Sequence, residues 1–187
     1  MRLALLVATL VLCACACVFG APGEASAHRQ AGAGADSVTP CDISAYVTDR
    51  DPDGLNVRSG PGSAHKVIGN LPDQQVEGGI VVHITGARGD WFRIDEAFEV
   101  GGEEERVFFK GAGWVYGPLL GADGVGGGTA VYQEMSAKSR VVTRVQGDSG
   151  GLTLRGCRGR WTYVEYKKVK GWAAPDTLCT NPLTTCA

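Results

Sequence analysis

The chain has 187 residues, 20% of them charged, and its 18 basic and 20 acidic groups give a net charge of -2. A balance so near neutrality gives no reason to expect a nucleic-acid partner. With 7 cysteines in a chain of this length, the first thing to settle is the compartment.

Arg2 precedes an apolar run from Leu3 to Phe19, Pro22 breaks it, and Ala25-Ser26-Ala27 stands before His28. These are the three parts of a secretory signal peptide, residues 1–27. The run is near the lower limit of the ~17–25 residues that span a bilayer, and the small-residue site points to cleavage, so no span is expected in the mature chain. Leu12-Cys13-Ala14-Cys15 imitates a lipobox imperfectly, and a lipoprotein anchored at Cys15 is the alternative to a free periplasmic or extracellular protein.

Residues 28–40 are small and polar and read as a flexible linker. Ile43 to Val47 reads as a strand, and so does Leu55-Asn56-Val57-Arg58, where apolar and polar residues alternate. Ser59-Gly60-Pro61-Gly62 makes a turn. Further strand signals follow at Val67–Leu71, Gly79–Thr85, Trp91–Ile94, Val107–Phe109 and Gly113–Tyr116. No segment after the signal peptide keeps a helical period, so the expectation is an all-β fold of small units.

The pattern then recurs. Leu55 and Val57 align with Thr129 and Val131, Val67-Ile68 with Val141-Val142, and Leu71 with Val145. Ile84-Thr85-Gly86 meets Leu154-Arg155-Gly156, Gly89-Asp90-Trp91 meets Gly159-Arg160-Trp161, and Gly113-Trp114 meets Gly171-Trp172. Apolar and Gly-x-Trp positions register while polar ones do not, as a shared core with free surfaces requires. The stretch Leu55-Asn56-Val57-Arg58-Ser59-Gly60-Pro61 resembles the L-N-V-R-x-G-P opening of bacterial SH3-like (SH3b) domains, and the paired G-x-W and G-W positions are similar in both halves. The resemblance implies two tandem small SH3-like β-barrels: residues 41–120, a Gly-rich connection at 121–128, and a diverged copy with a Cys-containing tail at 129–187. In the copy, Tyr132-Gln133-Glu134-Met135 replaces Arg58-Ser59-Gly60-Pro61.

The mature chain keeps Cys41, Cys157, Cys179 and Cys186, an even count that suggests disulfides in an exported protein. Three pairings are possible. The preferred one joins Cys157 to Cys179 inside the second half and leaves Cys41 for Cys186. No Cys-x-x-Cys supports a zinc site. The charge is uneven: residues 28–120 carry 8 basic and 14 acidic groups, whereas residues 121–187 carry 9 and 5.

Several motifs imitate chemistry. Gly147-Asp148-Ser149-Gly150-Gly151 matches the nucleophile motif of chymotrypsin-like proteases, but it falls between strands of the second half, and the rest of that family's pattern is missing. Asp49-Arg50-Asp51-Pro52-Asp53-Gly54 opens like a calcium loop, yet Gly60 stands where the bidentate acid is needed. His28, His65 and His83 lack neighbours for a metal pair. The expectation is therefore no catalytic residue, no metal and no cofactor. The resemblance implies a binding module for peptidoglycan or its peptide stems, with Tyr46, Asn56, Arg58, Trp91, Trp114 and Tyr116 as candidate ligand contacts. Tyr132, Arg160, Trp161 and Tyr163 rank below them. The alternative is a protein–protein adaptor or inhibitor that engages an envelope protein through the acidic loop at 95–106.

Overall fold

The structure, a computed structural model, describes residues 37–72, 78–102, 106–146, 151–183 and 186. The segment expected to be a signal peptide, most of the expected linker, Gly147–Gly150 of the protease-like motif and Glu103–Glu105 of the acidic stretch lie outside these residues.

The chain is all-β and antiparallel. The strands are β1 (Thr39–Val47), β2 (Leu55–Arg58), β3 (Val67–Leu71), β4 (Gly79–Arg88), β5 (Trp91–Val100), β6 (Val107–Tyr116) and β7 (Leu120–Gly124). After these come β8 (Thr129–Tyr132), β9 (Val141–Val145), β10 (Leu152–Arg158), β11 (Trp161–Tyr166), β12 (Val169–Ala173) and β13 (Leu178–Cys179). A 3-10 turn, Gly117–Leu119, sits between β6 and β7.

Alternation does what it predicts in the short strands. In β2, Leu55 and Val57 are buried while Asn56 faces solvent. Gly54 opens that strand at φ 74°, where a Cβ would stand 2.6 Å from the Leu71 carbonyl oxygen, so the turn requires glycine. β4 is buried along most of its length because it lies between β1 and β5. The acidic stretch after Ile94 is not a loop throughout: β5 continues to Val100. Ala97 is fully buried beside the half-exposed Glu96, and the Glu99 side chain, 8% exposed, lies 4.0 Å from Arg106. Val107–Phe109 and Gly113–Tyr116 likewise merge into one strand.

The strands form one open hydrogen-bonded path, β3-β2-β6-β5-β4-β1-β7-β10-β11-β12-β8-β9, with β13 paired to β7. The ladder of the first half recurs in the second. Leu55 pairs with Leu71 and Arg58 with Val67, and the register shifts between Val57 and Arg58. Thr129 pairs with Val145 and Tyr132 with Val141, with the shift between Val131 and Tyr132. Arg58 faces Trp114 across β2–β6, as Tyr132 faces Trp172 across β8–β12.

The Gly-rich stretch at 121–128 begins as strand. β7 pairs with β1 (Val47 with Leu120) and with β10 (Gly121 with Thr153). β13 then pairs with β7 as β7 pairs with β1: Leu178 with Gly124, Cys179 with Asp123. Leu120–Gly124 therefore ends one ladder and begins the next. The core follows it, because Leu154 and Cys157 of the second half pack in the same cluster as Ala45, Ile84 and Phe92.

This shared strand overturns the expected cysteine pairing. It sets β1 and β10 on either side of itself, and Cys41 bonds to Cys157, with Cα atoms 5.9 Å apart. Cys179 bonds to Cys186 instead and closes the tail on itself. The tail packs back on the first half, where a methyl on Gly79 or Gly101 would run into Pro182 or Leu183.

Candidate ligand-binding cleft

Four of the six candidate contacts meet in one cleft. Asn56, Arg58, Trp91 and Tyr116 line a depression of about 580 Å³, together with Asp49, Asp51, Ser63 and Leu119. The sheet positions its aromatic wall: Trp91 opens β5, Tyr116 closes β6, and the two are ladder partners. Their ring centroids lie 5.4 Å apart at 47°, a tilted pair that leaves Tyr116 38% exposed.

Arg58 lines the same cleft and also holds its rim. Its Nη1 donates to the carbonyl oxygens of Ser63 and His65, each at 2.9 Å. The Ser59 amide donates to Lys66 O at 2.9 Å and closes the same loop. The guanidinium thus fixes the loop at 59–66 and presents positive charge to the cleft.

The third wall is acidic. Asp49 Oδ1 accepts the Asp51 amide at 3.1 Å, and Asp51 Oδ1 accepts the Asp53 amide at 3.0 Å. Asn70 Nδ2 donates to Asp53 O at 2.7 Å and ties this turn to β3. In sequence, Asp49 and Asp51 read only as the start of an incomplete calcium loop. Only the fold brings them into one cleft with Arg58, although their position just before the Leu-Asn-Val-Arg strand was a usable signal. Among the described residues, no three His, Cys, Asp or Glu side chains group to hold a metal ion.

Two candidates lie elsewhere. Trp114 is 8% exposed and does not line the cleft. Tyr46 hydrogen-bonds to the Asp123 carboxylate on β7; burial first, then the Asp123 charge and that hydrogen bond, raise its pKa far above the ordinary phenol value.

The second half differs at the corresponding place. Tyr132 occupies the Arg58 register position, and its ring meets Trp161 edge-on at 6.2 Å between centroids. Arg160 pairs with Asp176, and Tyr163 packs on Trp172 at 5.0 Å.

Sequence reading also missed a charged chain at the seam between the halves. His83 Nδ1 lies 2.7 Å from Asp95 Oδ1, and its Nε2 lies 3.2 Å from Asp42 Oδ1. No sequence neighbour of His83 signalled this, because the acids come from the two flanking strands.

Comparison with known proteins agrees with the geometry of the first half. Residues 53–120 match the bacterial SH3 domain family. No curated protein matches the sequence. Among solved structures, the chain is similar to NlpC1 from Trichomonas vaginalis, with 17% identity over 77% of this chain and 48% of that one at a TM-score of 0.28. It is similar to NlpC2 from the same organism, with 17% identity over 76% and 48% at a TM-score of 0.29. The chain thus spans about half the length of each.

Proposed function

We propose that the protein is an exported, non-catalytic binding module of the cell envelope. It consists of two SH3-like units in tandem that share β7, and its first unit recognises the peptide stems of peptidoglycan. The family match at 53–120 supports a role related to the cell wall, and two disulfides fit an oxidising compartment. The observation that carries the reading is the composition of the Trp91–Tyr116 cleft. A zwitterionic peptide needs an anionic wall for its amine, a cationic wall for its carboxylate and an apolar surface between them. Asp49 with Asp51, Arg58, and the Trp91–Tyr116 pair supply these in one depression.

In this reading the second unit is a support. Tyr132 takes the place of Arg58 and packs against Trp161, so the cationic wall is missing. The test is retention of the oxidised chain on purified peptidoglycan sacculi across a salt series. Retention at moderate salt that Asp49→Asn with Asp51→Asn removes is the expected result. Retention that only salt removes would reduce the interaction to nonspecific charge attraction. Absence of retention would turn the search to an envelope protein that docks on the acidic β5–β6 hairpin.

A further inference from the structure

The outer face of the second half carries a row of aromatic rings. Tyr132 on β8, Trp172 on β12 and Tyr163 on β11 are ladder partners in turn, so their side chains leave the sheet on one face. Alternation sends their neighbours Val131, Ala173 and Val164 into the core, and the three rings stay partly exposed. Tyr163 and Trp172 lie 5.0 Å apart between centroids, and Trp161 meets Tyr132 edge-on at 6.2 Å. Beyond Tyr163 the row reaches Gly156 on β10, which has no side chain to cover the ring.

The first half builds the same row from different chemistry. There Trp114 stands between Arg58 and Arg93. Both guanidiniums are committed, Arg58 to the Ser63 and His65 carbonyls and Arg93 to Thr85, and Trp114 is 8% exposed. The second half puts tyrosine at both flanks, and its cations stand beside the row instead. Arg158 on β10 is the partner of Trp161, and Arg144 on β9 is the partner of Ala130. Each therefore faces outward two residues from the row, on the same side of it and at opposite ends. Both are exposed. The nearby carboxylates are taken by other cations: Arg155 and Lys170 share Glu165, and Arg160 holds Asp176. Arg144 and Arg158 have no carboxylate within ion-pair distance among the described residues.

We infer that this face binds an acidic glycan, a polysaccharide whose sugar rings carry carboxylates. Sugar rings present flat C–H faces that stack on aromatic rings, and their carboxylates accept the forked donors of arginine. At about 4.8 Å per strand, the aromatic row is about 10 Å long and the two arginine positions lie roughly 20 Å apart, room for about four sugar units laid across the strands. Charge selects the acidic glycan over a neutral one, because residues 121–187 carry 9 basic and 5 acidic groups. The face uses none of the residues of the Trp91–Tyr116 cleft. It adds a role to a half that the peptide reading uses only as a support, and it does not depend on that reading.

The probe is tetragalacturonic acid, titrated into the oxidised chain at low salt and followed by calorimetry and by the indole N–H signals in NMR. Saturable binding that shifts the Trp172 signal is expected. Cellotetraose, neutral and of the same length, and tetra-aspartate, charged but without sugar rings, are each expected to bind at least roughly tenfold more weakly. Arg144→Gln with Arg158→Gln is expected to weaken binding by roughly tenfold, and Tyr163→Leu to do the same. The two arginines are exposed, so their variant keeps the fold, and unchanged thermal unfolding checks this. Equal binding of the neutral tetrasaccharide or of the acidic peptide, movement of Trp91 in place of Trp172, or absence of saturable binding at millimolar probe each overturns the site.

Discussion

Cys41 and Cys157, 116 residues apart in sequence, are joined where β1 and β10 flank β7. The bond ties the first strand of one half to β10, the strand of the other half that pairs with β7. The loop-entropy account of disulfides gives about 5 kcal/mol for a closed loop of this length and about 2 kcal/mol for the 7-residue separation of Cys179 and Cys186. The expected outcome is that Cys41→Ser with Cys157→Ser lowers the denaturant midpoint well below that of Cys179→Ser with Cys186→Ser. A larger loss from the tail pair would contradict the seam as the place where the halves are held.

Asp49 and Asp51 separate charge from structure. Each accepts a backbone N–H through Oδ1, and Asn offers the same acceptor. Asp49→Asn with Asp51→Asn is therefore expected to leave the unfolding temperature within a degree or two while weakening retention on sacculi. Arg58→Ala does both kinds of damage, because it removes two charge-assisted bonds to Ser63 O and His65 O. On a partly exposed group these are worth about 1–2 kcal/mol together. Thermal unfolding beside the pull-down distinguishes the variants; equal stability loss in both would contradict the assignment.

Strand positions were legible because two-residue alternation and glycine punctuation are local properties. Leu55–Arg58, Val67–Leu71 and the two Gly-x-Trp turns fall where the sequence puts them. Pairings set by distant segments were not legible. The Cys41–Cys157 bond depends on β7 accepting a neighbour on each side, and nothing around Leu120–Gly124 announces that beyond its small residues. The cleft divides along the same line. Arg58 was legible through its motif, and its ladder partner Trp114 was taken for a ligand contact although it is buried. Asp49 and Asp51 became wall residues only through the packing of the turn against β2.

His83 makes a pH-dependent contact across three strands. Burial alone would lower its pKa, but the hydrogen bonds to Asp95 and Asp42, with their charges, outweigh burial and raise it above the usual imidazole value. A folded pKa above the unfolded one means that the contribution to stability is complete below about 6.5 and is lost as pH rises through the folded value. Arg160 and Asp176 line the same small depression and are paired with one another. Unfolding measured from pH 5.5 to 8.5 is expected to show stability falling through the upper part of this window, and His83→Gln to flatten that fall. An unchanged slope in the variant would assign the pH dependence to other groups.

Trp91 and Trp161 hold the same register position and differ in what stands beside them. Trp91 packs on Tyr116 and lines the same cleft as Arg58, whereas Trp161 is met edge-on by Tyr132. Both are half-buried, so truncation to alanine is expected to cost each about 2 kcal/mol, roughly half the loss at a fully buried site. The functional outcomes diverge. Trp91→Ala removes the apolar surface between the charged walls and is expected to reduce sacculus affinity at least roughly tenfold. Trp161→Ala is expected to leave it unchanged. Equal losses of binding from the two variants would mean that retention follows global stability and not the first cleft, because the stability costs are matched by position and only the surroundings differ.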